Sequence, residues 1–431
     1  MVLQAPLWLN PGYFSHDELQ WAMRANVATL AELPWVSFLA WDHFQFRPLT
    51  FNLWLLLSHA LFDTPRIFHA VCVLLGSLNA LLLARVLAAA GAGPRSAWLA
   101  ALVFGLSPYA AWVHGWVGCL ADLLWVGAGL ALVRLLQQLG PDRRGLLLAG
   151  TGALLATGIG LLAKEAALSL PALLVLATVL LRWPRHWLVA SLVSLAVATI
   201  YLALRLSVLL HPGEGSTYLI HASAIPRRWL EYQVFAWALG INEPVVLALA
   251  PWLDWSLWLV LLLGLIVTVW RASRRLWLAW FAGGVLALAP VLVLPSAYNQ
   301  YGYGFIAVSA ATLVLAVPQM GRGGRILVLV LALFTLLHGF QVQREILRVG
   351  HLQRVFSPSL DHAMQVAPGV PIRLWPEVPG QRHVYQRLSL GASARAEPGA
   401  APSVRMAETE ATASHRITAD GTVRAVRVHG P

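Results

Sequence analysis

Two adjacent carboxylates near the amino terminus are the first residues whose types could do chemistry. Asp17 and Glu18 follow His16 in the stretch YFSHDELQWAM, in a chain that is 58% hydrophobic and only 11% charged. A carboxylate can take a proton from a reacting hydroxyl, and a neighbouring imidazole can help to bind a polar substrate. The alternative is structural, because the apolar spacing that follows places both carboxylates in the first turn of a helix, where they complement its dipole.

Three further segments carry charged residues between apolar runs. Asp42 and Arg47 lie in WDHFQFRPL, which could equally be a Trp- and Arg-containing anchor at a membrane surface. His114 occupies a short turn, and Asp122 follows about two helical turns inside the next apolar run. An aspartate in such a run usually faces a cavity or a partner, and a purely structural hydrogen bond is the other interpretation.

Lysine and tyrosine supply the remaining candidates. Lys164 is the only lysine of the chain and stands beside Glu165 in LLAKEAALSLP. Its compact ammonium suits contact with a phosphate or a carboxylate, unless the two neighbours simply pair with each other. Tyr298 and Tyr301 in SAYNQYGYGF could stack on a sugar or belong to an aromatic belt at the membrane interface.

Composition defines the class of protein that must position these residues. A mean hydropathy of +0.68 and 20 tryptophans in 431 residues indicate an integral membrane protein. We interpret the net charge of +11 as membrane topology and expect no nucleic-acid partner. The two cysteines lie in apolar runs, so neither a disulfide framework nor a cysteine metal site is expected. Because nucleotide-binding and zinc-binding spacings are also missing from the sequence, we expect no cofactor and no metal site; one or two outer carboxylates could hold a divalent cation such as Mg²⁺, but no motif indicates it.

Apolar runs long enough to cross a bilayer predict about ten transmembrane helices. They cover residues 66–88, 95–113, 117–138, 144–163, 166–182, 187–209, 252–270, 276–295, 302–318 and 324–340. Arginines mark alternate connections, which the positive-inside rule places in the cytoplasm. The carboxylates, His114, the Lys164-Glu165 turn and the tyrosines then share the outer side.

The fold predicted from this pattern is an all-α polytopic bundle in three parts. Residues 1–65 form an outer acidic loop with an interfacial helix over 49–62, and residues 66–340 form the transmembrane bundle. A second interfacial helix is predicted over 227–246. Residues 341–431 change to a Pro-, Gly- and charge-containing tail with alternating runs such as RHVYQRLSL and TVRAVRVHG. This tail is predicted to be a small strand-containing or partly disordered outer module.

Together these motifs resemble the GT-C superfamily of membrane glycosyltransferases. The resemblance rests on three stretches, FRPLTFNLWLLLSHALFDTPRIFHAVCVLLGSLNALL, LVFGLSPYAAWVHGWVGCLADLL and LLAKEAALSLPALL. They are similar to bacterial relatives of the dolichyl-phosphate-mannose O-mannosyltransferases and of the lipid A aminoarabinose transferases. Members of that family carry a membrane span before the acidic loop, so the resemblance implies a first helix that the roughly twelve residues before Tyr13 are too short to form.

The resemblance implies an activity and roles for the candidate residues. The expected enzyme moves a sugar from a polyprenyl-phosphate donor to an acceptor at the periplasmic face of a bacterial inner membrane, with inversion of configuration. Asp17 matches the catalytic base and Glu18 its neighbour. The expected substrate-binding residues are His16, Asp42, Arg47, His114, Asp122, Lys164, Glu165, Tyr298 and Tyr301. The acceptor, which could be a protein, a lipid or a glycan, stays open.

Two other functional classes fit the same residues. In a transporter or flippase for a lipid-linked saccharide, the charges would line a translocation path, and broken helices would recur in two related halves. In a structural subunit of an envelope complex, Asp17 would tolerate the loss of its charge. The sequence shows no internal symmetry of the kind that a transporter would have.

Overall fold

Helices make up most of the chain in the computed structural model, which describes residues 1–13, 15–27, 29, 31, 38, 44–211, 219–238, 252–366, 368–393 and 404–426. The helices of the first half are α1 Ala5–Trp8, α2 His16–Val27, α3 Pro48–Leu61, α4 Pro65–Ala89, α5 Pro94–Leu106, α6 Pro108–Gly115, α7 Leu120–Leu136 and α8 Arg143–Ala163. Those of the second half are α9 Ser169–Leu180, α10 Arg185–Leu210, α11 Ile225–Phe235, α12 Trp252–Ala272, α13 Arg274–Leu292, α14 Tyr303–Ala316, α15 Arg322–Val366 and α16 Arg382–Ser393.

Among the described residues, seven helical segments are long and apolar enough to cross a membrane, so the chain is a multi-pass membrane protein. They are Pro65–Ala89, Val117–Leu136, Arg143–Ala163, Arg185–Leu210, Arg274–Leu292, Asn299–Gln319 and Arg322–Val366. Large apolar side chains on their outer faces, such as Leu147 and Leu204, are about two-thirds exposed, as lipid-facing residues are. All ten predicted runs are helical, but α9 and the apolar stretch Ser256–Ala272 of α12 are shorter than a span, and the predicted number of ten stays a prediction.

The predicted span over 95–113 is broken rather than continuous. Helices α5 and α6 meet at 59° and count as an eighth span only if taken together. The break falls at Ser107-Pro108, where Ser107 is extended (φ −61°, ψ 159°) and its side chain caps α6 by accepting from the Ala110 amide. A residue before proline avoids the helical conformation, which explains why the helix bends here.

The arginine clusters and the candidate site residues lie at opposite ends of the bundle. Arginines cluster where α7 and α9 end and where α8, α10, α13 and α15 begin. The candidate site residues lie at the opposite end, where α7, α9 and α14 begin and α8 and α13 end, which we call the outer end. This separation is the one expected from the arginine alternation, whereas the orientation relative to the cell stays a prediction.

Two shorter helices complete the outer end. Helix α3 is docked on the bundle because the Thr50 hydroxyl donates to the Ala163 carbonyl oxygen at the end of α8 (2.8 Å). Helix α11 lies in the segment predicted to be interfacial (227–246) and packs on the bundle with Tyr232 and Phe235 fully buried, whereas residues 239–246 lie outside the described residues. The Tyr109 hydroxyl donates to the Tyr232 carbonyl oxygen (2.6 Å), so protein rather than lipid covers the aromatic face of α11.

Helix α15 continues through residue 341, where the sequence suggested a boundary, and runs for 45 residues. Glycines allow it to lie against the bundle, because a Cβ at Gly339 would overlap the Leu106 carbonyl and one at Gly350 would overlap the Asn10 side chain. The membrane-crossing helix and its outer extension are therefore one continuous helix, with Pro358 inside its outer part.

The outer extension of α15 carries a small α/β unit, which we call the carboxyl-terminal module (372–426). Its four strands are β1 Ile372–Pro376, β2 Val404–Met406, β3 His415–Ile417 and β4 Val423–Ala425, in the order β2-β1-β3-β4. Strand β1 is parallel to β2 and β3, β4 is antiparallel to β3, and α16 lies between β1 and β2 in the chain.

The RHVYQRLSL run in this module is helical and not a strand. Its alternating polar and apolar residues, which suggested a strand, are part of helix α16. Val384, Tyr385 and Leu388 are buried together, and their spacing is that of one helix face. TVRAVRVHG does contain a strand, β4.

Candidate functional site

One ionic centre at the outer end is the carboxylate pair, Asp17 and Glu18, in the first turn of α2. Glu18 is 1% exposed and accepts hydrogen bonds from two backbone amides, those of Ser15 (3.0 Å) and Val117 (3.2 Å). The Ser15 hydroxyl accepts from the Asp17 amide (3.4 Å), so Ser-His-Asp-Glu is a variant of the capping box that often begins a helix. Glu18 therefore anchors α2 to the turn that follows α6.

Asp17 differs from its neighbour in exposure. It is half-buried, and its Oδ2 lies 3.4 Å from the Ser15 hydroxyl. The structural interpretation of the acidic pair thus describes Glu18 well, while Asp17 is the carboxylate that a substrate could reach.

An arginine from the far end of the sequence completes this centre. Arg387, on α16, donates from Nη2 (3.0 Å) and Nε (3.3 Å) to the Ser15 hydroxyl. Its guanidinium lies 5.3 Å from the centre of the Trp116 ring. Burial lowers the pKa of Arg387, and the charges of Asp17 and Glu18 oppose that shift. Sequence reasoning missed this residue.

The second centre is a buried ion pair between Asp122 and Lys164, which are 2% and 4% exposed. The ammonium contacts both carboxylate oxygens, at 2.6 and 2.7 Å, and the Trp125 indole donates to Oδ1 (3.3 Å). Lys164 also lies 4.7 Å from the centre of the Tyr301 ring. Asp122 sits in the first turn of α7, nearer the outer end than the sequence suggested, since a 3₁₀ turn over Val117–Cys119 precedes the helix.

Lys164 does not pair with its neighbour Glu165. The backbone at Lys164 is extended (φ −164°, ψ 140°), so consecutive side chains point in different directions. Glu165 instead accepts from Arg47 Nε at 2.7 Å. The mutual Lys-Glu pair considered from the sequence is therefore wrong.

Near Arg47, the buried Arg205 of α10 donates to the Phe44 carbonyl oxygen (2.9 Å). Sequence reasoning missed Arg205, although an arginine inside a predicted span is a recognisable signal.

Two tyrosines of the stretch YNQYGYGF lie next to the buried ion pair. The rings of Tyr298 and Tyr301 meet edge to face with centroids 5.7 Å apart. Tyr301 lies against Lys164.

His114 belongs to a different network. It is fully buried in α6, and its ring nitrogens contact the Gln4 amide nitrogen (2.8 Å) and the Tyr303 hydroxyl (3.0 Å). Of the other candidates, the His16 side chain and Asp42 lie outside the described residues. The structure thus gathers Asp17, Glu18, Arg47, Asp122, Lys164, Glu165, Tyr298 and Tyr301 at the outer end.

An apolar cavity of about 260 Å³ begins beside the buried ion pair. It is lined by Trp125, which donates to Asp122, and continues along α7 to Val133 and along α9 from Leu170 to Leu180. Ten residues of helix correspond to about 15 Å, roughly half of the hydrocarbon thickness of a bilayer. A long apolar chain could therefore enter the bundle directly beneath polar groups.

Groups of three or more metal-ligating side chains are not found within the described ranges. Comparison with protein-family models, with curated proteins and with solved structures finds no match to this chain.

Proposed function

We propose that the protein is a membrane glycosyltransferase that uses a polyprenyl-phosphate-linked sugar. The observation that carries the proposal is the half-buried Asp17 carboxylate at the same end of a membrane bundle as Trp125, which donates to Asp122 and lines an apolar cavity. A lipid-linked sugar has the same two parts, an apolar chain and a polar reacting group. The cavity suits the first and the ionic centres suit the second.

The proposed reaction assigns Asp17 as the general base. Asp17 takes the proton of the acceptor hydroxyl while the acceptor oxygen bonds to the anomeric carbon of the sugar. The bond from that carbon to the phosphate oxygen breaks, and the phosphate keeps the electron pair. Attack opposite the leaving phosphate inverts the anomeric carbon. Glu18 serves as a positioning residue, since both of its oxygens accept from backbone amides.

One observation favours the alternative of a transporter for a lipid-linked saccharide. Discontinuous helices are typical of transporters, and α5 and α6 form such a pair. Across the described residues the pair has no bent counterpart, whereas transporter halves usually repeat the feature. The glycosyltransferase is therefore the better-supported proposal.

The test is sugar transfer by the purified protein in lipid nanodiscs, with a panel of polyprenyl-phosphate sugars and detection by mass spectrometry. We expect turnover by the wild type and a loss of about 100-fold or more in Asp17→Asn. Asp63→Asn is the matched control, because Asp63 is an exposed carboxylate at the outer end, and it should leave the rate unchanged.

Two results would count against the proposal. Full turnover in Asp17→Asn would remove the assigned base. No turnover with any donor, together with protein-dependent movement of a lipid-linked sugar across vesicles, would establish the transporter instead.

A further inference from the structure

Arg387 reaches the outer end from a module that the sequence places 372 residues away from Ser15. Helix α16 packs on α2 and on the outer part of α15, and this position aims the guanidinium at the start of α2. The module is thus part of the wall around the carboxylate pair.

The charge of Arg387 is incompletely used by the protein. A guanidinium has five N–H donors, and here two of its nitrogens converge on one neutral acceptor, the Ser15 hydroxyl. Within the described part of the chain, the ion pairs with oxygens within 4.0 Å do not include Arg387. Asp17 and Glu18 act on this mostly buried cation only from beyond 4.0 Å, so it is incompletely neutralised and the arrangement favours an additional anion from outside the chain.

Three other cations near the site have anionic partners of their own. Lys164 is bound to both oxygens of Asp122, and Arg47 is bound to Glu165. Arg228 pairs with Glu231 and donates to the Leu294 carbonyl oxygen. A ligand phosphate would have to displace a directly bonded carboxylate from each of these three, whereas among the described residues no carboxylate lies within ion-pair distance of Arg387.

We infer that Arg387 binds the phosphate of the lipid-linked ligand, which makes the carboxyl-terminal module a part of the donor site. The identity of the donor rests on the function proposed above, whereas the binding of a phosphate monoester does not. When the sugar leaves, its phosphodiester becomes a monoester and gains negative charge. Arg387 therefore binds the product phosphate more tightly than the donor and stabilises the leaving group.

The experiment measures binding of a polyprenyl monophosphate to the full-length protein in nanodiscs by native mass spectrometry. Because hydrogen bonds to charged groups contribute about 1.5–3 kcal/mol, Arg387→Gln should weaken binding about 10- to 100-fold. Arg387→Lys keeps the charge without the planar guanidinium, so its affinity for the lipid should lie between those of the wild type and Arg387→Gln. Arg373→Gln, an exposed arginine on β1 of the same module, is the matched control and should bind as the wild type does.

A purely structural role for Arg387 is tested by Ser15→Ala. This variant removes the hydroxyl that accepts from Arg387. If the Arg387–Ser15 hydrogen bond is purely structural, Ser15→Ala should weaken lipid phosphate binding as much as Arg387→Gln does. Phosphate binding predicts that Ser15→Ala keeps most of the affinity. Wild-type binding by Arg387→Gln, or equal losses in the two variants, would overturn the inference.

Two further arms separate the possible outcomes. Excess inorganic phosphate should displace the lipid only weakly if the apolar chain contributes to binding, and strong displacement would identify a site for free phosphate. If no sugar is transferred but lipid phosphate binding still depends on Arg387, the proposed function fails and the inference stands. If sugar is transferred and Arg387→Gln changes neither lipid binding nor the rate, the inference alone fails.

Discussion

The carboxylate pair and the buried ion pair are both acidic centres at the outer end, but they are completed in different ways. Asp122 is neutralised by Lys164 within the bundle, with both side chains almost fully buried. The pair at Asp17 and Glu18 depends on backbone amides and on an arginine from a separate module. The first arrangement is closed on itself, and the second has a reachable carboxylate and unused donors. We propose that the first centre contributes mainly to stability and the second to the proposed reaction.

The largest effect should come from breaking the buried ion pair. Lys164→Met leaves Asp122 buried without its cation, and removing one partner of such a pair costs about 3–5 kcal/mol of unfolding free energy. Denaturant unfolding in lipid should show this loss. The double variant Lys164→Met with Asp122→Leu should recover most of it, because no unpaired charge remains. If the single variant unfolds like the wild type, the two centres do not differ in the way described.

A smaller loss is expected at Glu18. Glu18→Ala removes the acceptor of the Ser15 and Val117 amides, and each unsatisfied buried donor costs about 1–3 kcal/mol. Glu18→Gln keeps one acceptor oxygen and should lose less. The same unfolding measurement applies, with Asp63→Ala as an exposed control. A Glu18→Ala variant that loses activity at unchanged stability would make Glu18 catalytic rather than structural.

The smallest effect concerns pH, and it separates the module from the bundle. Burial lowers the pKa of His415 below its usual 6.5, so the unfolded module takes up this proton at a higher pH than the folded one does. The contribution of His415 to stability is therefore complete above about pH 6.5 and declines below it. Amide hydrogen exchange at pH 7.5 and 5.5, corrected for intrinsic rates, should show weaker protection of β3 and β4 at the lower pH, with α7 and α8 unchanged.

His415→Gln provides the control for that comparison. It should remove the difference between the two pH values in the module. Loss of protection in α7 and α8 at pH 5.5 would contradict the assignment of the effect to the module.

The bundle could be predicted from the sequence because each long helix has its own local signal. Apolar length located α4, α8 and α10 almost to the residue, and the arginine alternation placed Asp17, Asp122 and Lys164 at one end. Apolar composition gave the wrong helix boundary at two places, the break between α5 and α6 and the end of α15. Ser107-Pro108 interrupts a run that is apolar throughout, and α15 stays helical after its apolar stretch ends.

The partners within the site could not be predicted in the same way. Whether Lys164 pairs with Glu165 or with Asp122 is decided by an extended backbone at one residue, which the composition around it does not reveal. The contact of Arg387 with Ser15 joins the two ends of the chain, and no spacing in the sequence reports it. Only the Ser-His-Asp-Glu capping box offered a local sign that Glu18 is structural.

The continuous helix α15 couples the site to the thickness of the bilayer. At about 1.5 Å per residue, its 45 residues reach roughly 68 Å, more than twice the hydrocarbon core that it crosses. A helix in a thinner or thicker membrane adjusts by tilting, and a tilt at its base swings its far end through a larger arc. Since that end carries the module, we expect the distance between Arg387 and Asp17 to change with the thickness of the host bilayer.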